Sequence, residues 1–396
     1  MGAAKGSGSV YKTEQGWRGA IAVNGRRRYV SGPTKTIVAQ KLREIQRQAE
    51  DGFVQTGRTP KLGEWIQHWM TATEGKHTIK THDGYKQIVE RYLPGWLAQI
   101  PLNKLEPEQI EEAYSDLTKK KLSGSTIYQL HSVIRASLSL AVKRGRVPTN
   151  AAKLVVDPPS SKPAKVKPFS NADLDRIYEV LEDETLRPRW HMALELGPRP
   201  GEAIAIEWPH VNFADGSIRI EQQLQVIDKQ LRLVPYTKAR ADSENVGREI
   251  PLLGHIADQL RTLRKTQLEH MASPKWNADW HDVDEKPGTA HAFVFTSQRR
   301  LGQPINPIAD YRQWHRILTA AGLPLSKPYR ARHTAASNMI AAGIDLTVVA
   351  EILGHADINM LIRVYAHAIE ERKKAAGAML EAAFATLHAD KLSKVA

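Results

Sequence analysis

The stretch VDPPSSKPAKVKP, residues 156–168, constrains this chain more than any other. It carries four prolines and three lysines and little apolar surface. Proline lacks the amide hydrogen that helices and sheet ladders use, and it biases the residue before it towards extended backbone. Such a segment does not run through a packed core; it reads as an extended linker between domains. The 396 residues must organise on either side of it, in keeping with a length of two or three domains.

Two patterns precede the linker. Residues 8–31 alternate as short strands, with Asn24-Gly25 as a two-residue hairpin turn. A helix follows over about 36–50, with Ile37, Val38, Leu42 and Ile45 at helical spacing. Residues 1–57 hold ten Lys/Arg against four Asp/Glu, and Arg18, Arg26, Arg27 and Arg28 lie on or beside the hairpin. A β-ribbon fits the DNA major groove, so this basic sheet is a candidate groove reader; a charged edge that resists aggregation is the structural alternative. Residues 60–155 read as all helical. In STIYQLHSVIRASLSLAVKRGRV, Ser125 is the expected N-cap, Ile127, Leu130, Ile134, Leu138 and Val142 form one core stripe, and Gly145 stands near the end. Lys119, Lys120, Lys121 and Arg144 sit at helix ends, where they can grip phosphates or simply be solvated.

The net charge of +13 suits a polyanionic partner, nucleic acid before an anionic membrane. No apolar run approaches the roughly 20 residues of a membrane helix. The absence of cysteine excludes disulfides, thiolate nucleophiles and cysteine-based zinc sites, and suits a reducing cytoplasm.

Beyond the linker, residues 169–396 pass from helices through a strand-rich region back to helices. Four stretches there carry chemistry. In ELGPRPGEAIAIEW, Pro200 suits a first helical turn, which places Arg199 just outside a helix N-terminus with Glu202 behind it. In VPYTKARADSENVGREIPL, two strand-like pieces flank a polar loop, read as a hairpin with Lys238 near its tip. In KPYRARHTAASNMIAAG, a helix after Pro328 carries Arg330, Arg332 and His333 in its first turn. A helix capped by Asp345 and stopped by Gly354 follows, then His355, and ten residues on Tyr365. Read alone, helix–Gly–helix–Gly fits a helix-turn-helix regulator, in which Tyr365 is core. A simple reader of DNA, however, has no need of two separated arginine turns, a hairpin lysine, a histidine and a tyrosine. A phosphoryl-transfer site needs cations, proton donors and a nucleophile.

Together these residues resemble the tyrosine recombinases, the phage integrase family. Gly197-Pro198-Arg199-Pro200-Gly201-Glu202 is similar to the first-arginine box. Thr237-Lys238 with Arg248-Glu249-Ile250-Pro251-Leu252 is similar to the lysine hairpin, Ala331-Arg332-His333-Thr334 to the second-arginine box, and Leu353-Gly354-His355 with Tyr365 to the nucleophile box. The resemblance covers most of the chain and implies a mainly α, multidomain fold. Residues 1–57 would be an arm-type DNA-binding domain, a three-stranded sheet plus helix. Residues 60–155 would be a helical core-binding domain, and 169–396 a mixed α/β catalytic domain with a C-terminal helical tail. It implies site-specific recombination through a 3′-phosphotyrosine link and a Holliday junction. Arg199, Arg332 and His355 would bind the scissile phosphate, Tyr365 would attack it and Lys238 would protonate the leaving group. Glu202, Tyr329 and His333 would support them. The implied partners are double-stranded DNA at core- and arm-type sites, three further copies in a tetramer, and accessory DNA-bending or directionality proteins. No cofactor and no metal are implied. A type IB topoisomerase shares the nucleophile chemistry and is the alternative within enzymes. Two features depart from the family pattern: Tyr329 stands where the family has histidine, and the interval from His355 to Tyr365 is one residue longer than in many members. Met379, Leu380, Ala383, Phe384 and Leu387 form an apolar stripe that either packs on its own domain or, as the resemblance implies, docks onto the next protomer.

Overall fold

A computed structural model describes residues 8–23, 26–50, 58–160, 166–235, 247–285 and 289–355. Beyond these it describes 358, 361–362, 365, 369, 373–374, 376–382 and 384–385. Lys238 and the Asn24-Gly25 turn lie outside the described residues. Contacts divide the chain into two compact units, Met1–Ala164 and Lys165–Ala396.

The first unit opens with β1 (Ser9–Thr13), β2 (Gly16–Val23) and β3 (Arg26–Gly32), an antiparallel sheet in the order β1-β2-β3, covered by α1 (Lys35–Glu50). Side chains alternate across a strand, so the register sorts them by face. Gly19 pairs with Val30, and Ile21 with Arg28, on the side where Val38 and Leu42 of α1 are buried. A Cβ at Gly19 would fall 2.6 Å from Val38 Cγ1, so glycine is what lets the helix lie this close. Arg18 pairs with Ser31 and Arg27 with Ala22 on the opposite face, and the Arg18 guanidinium stands 5.3 Å from the centre of the exposed Tyr29 ring. The four arginines therefore do not form one patch. Arg28 takes the helix-side register, and the side chain of Arg26 lies outside the described residues.

The helices that follow are α2 (Leu62–Ala72), α3 (Ile79–Tyr92), α4 (Gly95–Ala98), α5 (Pro107–Lys119) and α6 (Gly124–Lys143). The α6 stripe forms the centre of their core: Ile127, Leu130, Ile134 and Leu138 are all buried. Truncating Leu130 or Ile134 to alanine would cost about 2–5 kcal/mol. The N-cap is Ser123 and not Ser125; the Ser123 hydroxyl accepts from Thr126 N, while Ser125 lies inside the first turn. The serine two residues earlier prevails because its side chain reaches the third helical amide. Lys119, Lys120, Lys121 and Arg144 are exposed at the ends of α5 and α6.

The second unit contains α7 (Asn171–Leu181), α8 (Arg187–Glu195), α9 (Pro200–Ala203), β4 (Val211–Asn212), β5 (Ser217–Ile220), β6 (Gln222–Ile227), β7 (Gln230–Pro235), β8 (Arg248–Pro251) and α10 (Gly254–Met271). It continues with α11 (Pro307–Ala320), α12 (Tyr329–Ala341) and α13 (Leu346–Leu353). The two strands flanking the Lys238 loop do not pair with each other among the described residues, contrary to the hairpin read from the sequence. β7 pairs with β6, and β8 pairs with β5 in a β4-β5-β8 sheet. The competing turn is Asp228-Lys229, where both residues take positive φ, a geometry suited to a two-residue hairpin. On the helical side, Trp190 and Trp314 stack at 5.0 Å. α12 is buried nearly all round through Ala331, Ala335, Ala336 and Ile340, and its small residues bring it close to α8 and α13.

Candidate active site

The site is assembled where the N-terminus of α9, the start of β8, the first turn of α12 and the chain after α13 meet. Arg199 is the N-cap of α9, and Pro200 supplies the first helical φ. Glu202, 1% exposed, folds back to accept from Arg199 N at 2.8 Å and from Arg199 Nη1 at 2.6 Å. Its second oxygen also accepts from Arg248 Nη2 at 2.7 Å. Burial alone would raise the Glu202 carboxyl; the Arg248 and Arg199 guanidiniums outweigh it and hold the group below the ordinary carboxylate range.

Arg332, 1% exposed, pairs with no carboxylate among the described residues. Its Nη1 donates to Gly197 O at 2.7 Å and its Nη2 to Leu353 O at 2.6 Å. The approach depends on Gly197, at φ +67°, where a Cβ would meet Leu353 Cδ2 at 2.8 Å. Gly354, left-handed at φ 66°, ends α13 and turns its carbonyl to Arg199 Nη2 at 3.0 Å. Arg248 Nε donates to Ile352 O at 2.8 Å. Three guanidiniums thus grip consecutive carbonyls of residues 352–354, immediately before His355. Burial and the neighbouring Arg199 pull Arg332 down to about 10. Among the described residues Glu202 is the carboxylate these guanidiniums share, through Arg199 and Arg248.

His355 lies near Arg332, Arg199 and Arg248; burial and then these guanidiniums push it down to about 4. Its Nδ1 is buried with no hydrogen-bond partner among the described residues. Tyr365 is 2% exposed and packs with Ala335, Ala336, Leu353 and Leu361. Its hydroxyl lies 2.9 Å from His333 Nδ1. Burial raises the phenol to about 12 despite Arg332. Burial and then Arg332 lower His333 below its ordinary value, so its ring is neutral at pH 7 and able to accept a proton. Tyr329 is 43% exposed, with the Arg332 guanidinium 5.8 Å from its ring centre.

Arg199, Glu202, Tyr329, Arg332, His333, His355 and Tyr365 are therefore gathered in one place. Arg248 joins them, though the sequence reading gave it no role; the available signal was its place in the strand that closes the lysine box. The Lys238 position remains outside the described residues. The inward aim of Arg332 argues against a helix-turn-helix regulator, which needs side chains free to enter a groove.

Residues 168–372 match the family model described as "Phage integrase family". The chain belongs to the phage integrase family. It is a tyrosine site-specific recombinase, an enzyme that breaks and rejoins DNA. An integrase of Saccharopolyspora erythraea is 24% identical over 92% of this chain and 94% of that protein. A XerC-like tyrosine recombinase of Caldanaerobacter subterraneus subsp. tengcongensis is 24% identical over 86% of this chain and 88% of its own length. Among solved structures, the Tn1549 transposon integrase in complex with a circular intermediate DNA overlays with a TM-score of 0.65 at 16% identity, covering 81% of this chain and 99% of that one. A lambda integrase tetramer bound to a Holliday junction overlays at 0.52, also at 16% identity, covering 88% of this chain and 95% of that one. The shared fold is mostly helical with small antiparallel sheets. Among the described residues no helix is long and apolar enough to cross a membrane.

Proposed function

We propose that this recombinase integrates and excises a phage genome at specific DNA sites in a bacterial cell, through a covalent 3′-phosphotyrosine link and a Holliday junction. The observation that carries the reading is the pocket around Arg332. There Arg199, Arg248 and Arg332 converge on the carbonyls of residues 352–354 beside a buried phenol, the cations and nucleophile that phosphoryl transfer to tyrosine requires. Arg199 and Arg332 hold the scissile phosphate, and His355 adds a hydrogen bond. Tyr365 Oη attacks phosphorus while its proton passes to His333 Nδ1, 2.9 Å away. The P–O5′ bond breaks, and Lys238 protonates the departing oxygen. Rejoining reverses these transfers, so the phosphodiester energy is kept and ATP is not required. Tyr329 occupies the family's histidine position without bringing a charge; His333 takes over proton acceptance.

Residues 1–57 bind arm-type DNA through Arg18 and Arg27 on the outer sheet face, with Arg28 reaching from the other face and Arg26 assigned from the sequence alone. Residues 60–155 grip core-type DNA, with Lys119, Lys120, Lys121 and Arg144 on phosphates, and 156–168 links them to the catalytic domain. Four copies assemble on paired sites, with DNA-bending or directionality proteins as helpers. The exposed Met379, Leu380 and Phe384 suit docking on a neighbouring copy; Ala383 and Leu387 lie outside the described residues.

The test is a suicide substrate, a target duplex nicked beside the crossover. Wild type gives an SDS-resistant adduct whose peptide map ends at Tyr365. Tyr365→Phe gives none while binding the duplex with unchanged affinity. His333→Ala lowers the cleavage rate about a hundredfold or more. An adduct on another residue, or joining that survives Tyr365→Phe, overturns the reading.

A further inference from the structure

Away from the arginine cluster, three side chains of metal-binding type converge. His191 and Glu195 lie one turn apart on α8, and His255 stands in the first turn of α10. His191 Nδ1 is 2.9 Å from Glu195 Oε1, and His255 Nε2 is 2.8 Å from Glu195 Oε2. One candidate ligand atom from each residue lies within 4.8 Å of the other two. The Tyr178 ring stacks on His191 at 5.0 Å and its hydroxyl bonds to Glu195. Ligands of a metal are commonly oriented in this way by outer hydrogen bonds. His191 is 8% exposed, and its Nε2 is buried with no hydrogen-bond partner among the described residues. That atom points away from Glu195; the nitrogen that faces the cluster is Nδ1. The His255 side chain, 49% exposed, leaves the cluster open to solvent on one side.

We propose that His191, Glu195 and His255 bind one divalent ion of the zinc class, with water in the remaining position. Two imidazoles and a carboxylate form a borderline-soft N₂O set, the donor type zinc takes when one position stays open. Zinc ligands at about 2.1 Å in a tetrahedron stand about 3.4 Å apart. The two N···O separations would therefore open by roughly half an ångström, within the reach of side-chain rotation. The ion replaces the protons now shared with Glu195, so uptake weakens as pH falls. It ties the last turn of α8 to α10 two residues before Gly197, whose carbonyl receives Arg332. The ion is therefore a clamp on the segment that carries the first arginine, and takes no part in phosphoryl transfer.

The experiment uses the full chain, stripped by chelator, titrated with zinc chloride by calorimetry and followed by thermal unfolding. With fifteen histidines in the chain, the readout is the difference from His255→Ala and Glu195→Gln. The half-exposed position of His255 makes its variant well placed to fold. Wild type takes up one tight equivalent more than either variant. Its Tm rises by about 5 °C at zinc a hundredfold above the Kd. Cobalt(II) added instead shows tetrahedral visible absorption in wild type alone. Equal tight stoichiometry in wild type and variants, or no tight equivalent in wild type, overturns the site. That failure would leave the recombinase assignment untouched, because adduct formation at Tyr365 is measured separately.

Discussion

Two arginines lie equally deep in the second unit and do opposite things. Arg189 of α8 is fully buried and meets Asp310 of α11 in a two-pronged pair, Nε to Oδ1 at 3.1 Å and Nη2 to Oδ2 at 2.9 Å. Its guanidinium also lies 4.5 Å from the Trp190 ring centre. Arg332 of α12 is as buried, yet faces two carbonyls and other guanidiniums. Desolvating a cation is costly, and one direct anion usually offsets much of that cost. Where the fold leaves that anion out, the missing charge is an argument for a ligand. Burial alone would have ranked these residues together; the balance of charge around them separates structure from chemistry.

The largest expected effect follows directly. Arg189→Ala strands Asp310 without its partner and should lower stability by about 3–5 kcal/mol, with near-normal cleavage per folded molecule. Arg332→Ala relieves repulsion from Arg199 and should leave the urea midpoint close to wild type. Its cleavage rate should fall by about a hundred- to a thousandfold. Unfolding curves and adduct assays on both variants decide the matter. The contrast breaks if Arg332→Ala unfolds the domain while Arg189→Ala abolishes cleavage.

Much of this contrast was legible in the chain, and the part that was not has a physical cause. Arg199, Arg332, His355 and Tyr365 each sat in a local motif of proline, glycine or caps whose geometry can be read from neighbours. Their convergence was inferred from the resemblance, and the gathering at residues 352–354 depends on carbonyls, which no side-chain motif announces. Arg248 was missed for that reason. Arg189 and Asp310 are 121 positions apart and belong to no motif. The His191–Glu195 spacing was visible on a helix, but its third member, His255, arrives only through packing of α10. The β7–β8 error arose because both strands looked right and pairing is non-local, whereas the Asp228-Lys229 turn was overlooked.

A smaller effect tests whether Glu202 sets the charge of the cluster. Glu202 accepts from both Arg199 and Arg248, and its folded pKa lies below the ordinary value. A depressed acid stabilises the fold above its unfolded pKa, near 4.3, and that contribution disappears as pH falls through the folded value. Glu202→Gln should therefore flatten the acid limb of Tm against pH. It should also slow cleavage by about ten- to a hundredfold, because Arg199 loses the acceptor that aims it. An unchanged acid limb would mean that the arginines are held by the 352–354 carbonyls alone.

The smallest effect comes from a cluster of opposite sign. His291 is held between Glu207, 3.1 Å from Nδ1, and Glu285, 2.9 Å from Nε2. Burial pulls the imidazole down, but the Glu285 and Glu207 hydrogen bonds outweigh it and the group ends above its ordinary value. A raised base contributes stability fully present below the unfolded pKa, near 6.5, and lost as pH rises through the folded value. Wild type should therefore lose Tm gradually as pH rises above the unfolded value, and His291→Gln should remove that slope without altering cleavage. Here one cation answers two carboxylates, so its proton is retained by the protein's own groups and no external anion is called for. If His291→Gln instead reduced cleavage as Arg332→Ala should, the sign of the surrounding charge would not distinguish the phosphate pocket from the rest of the interior.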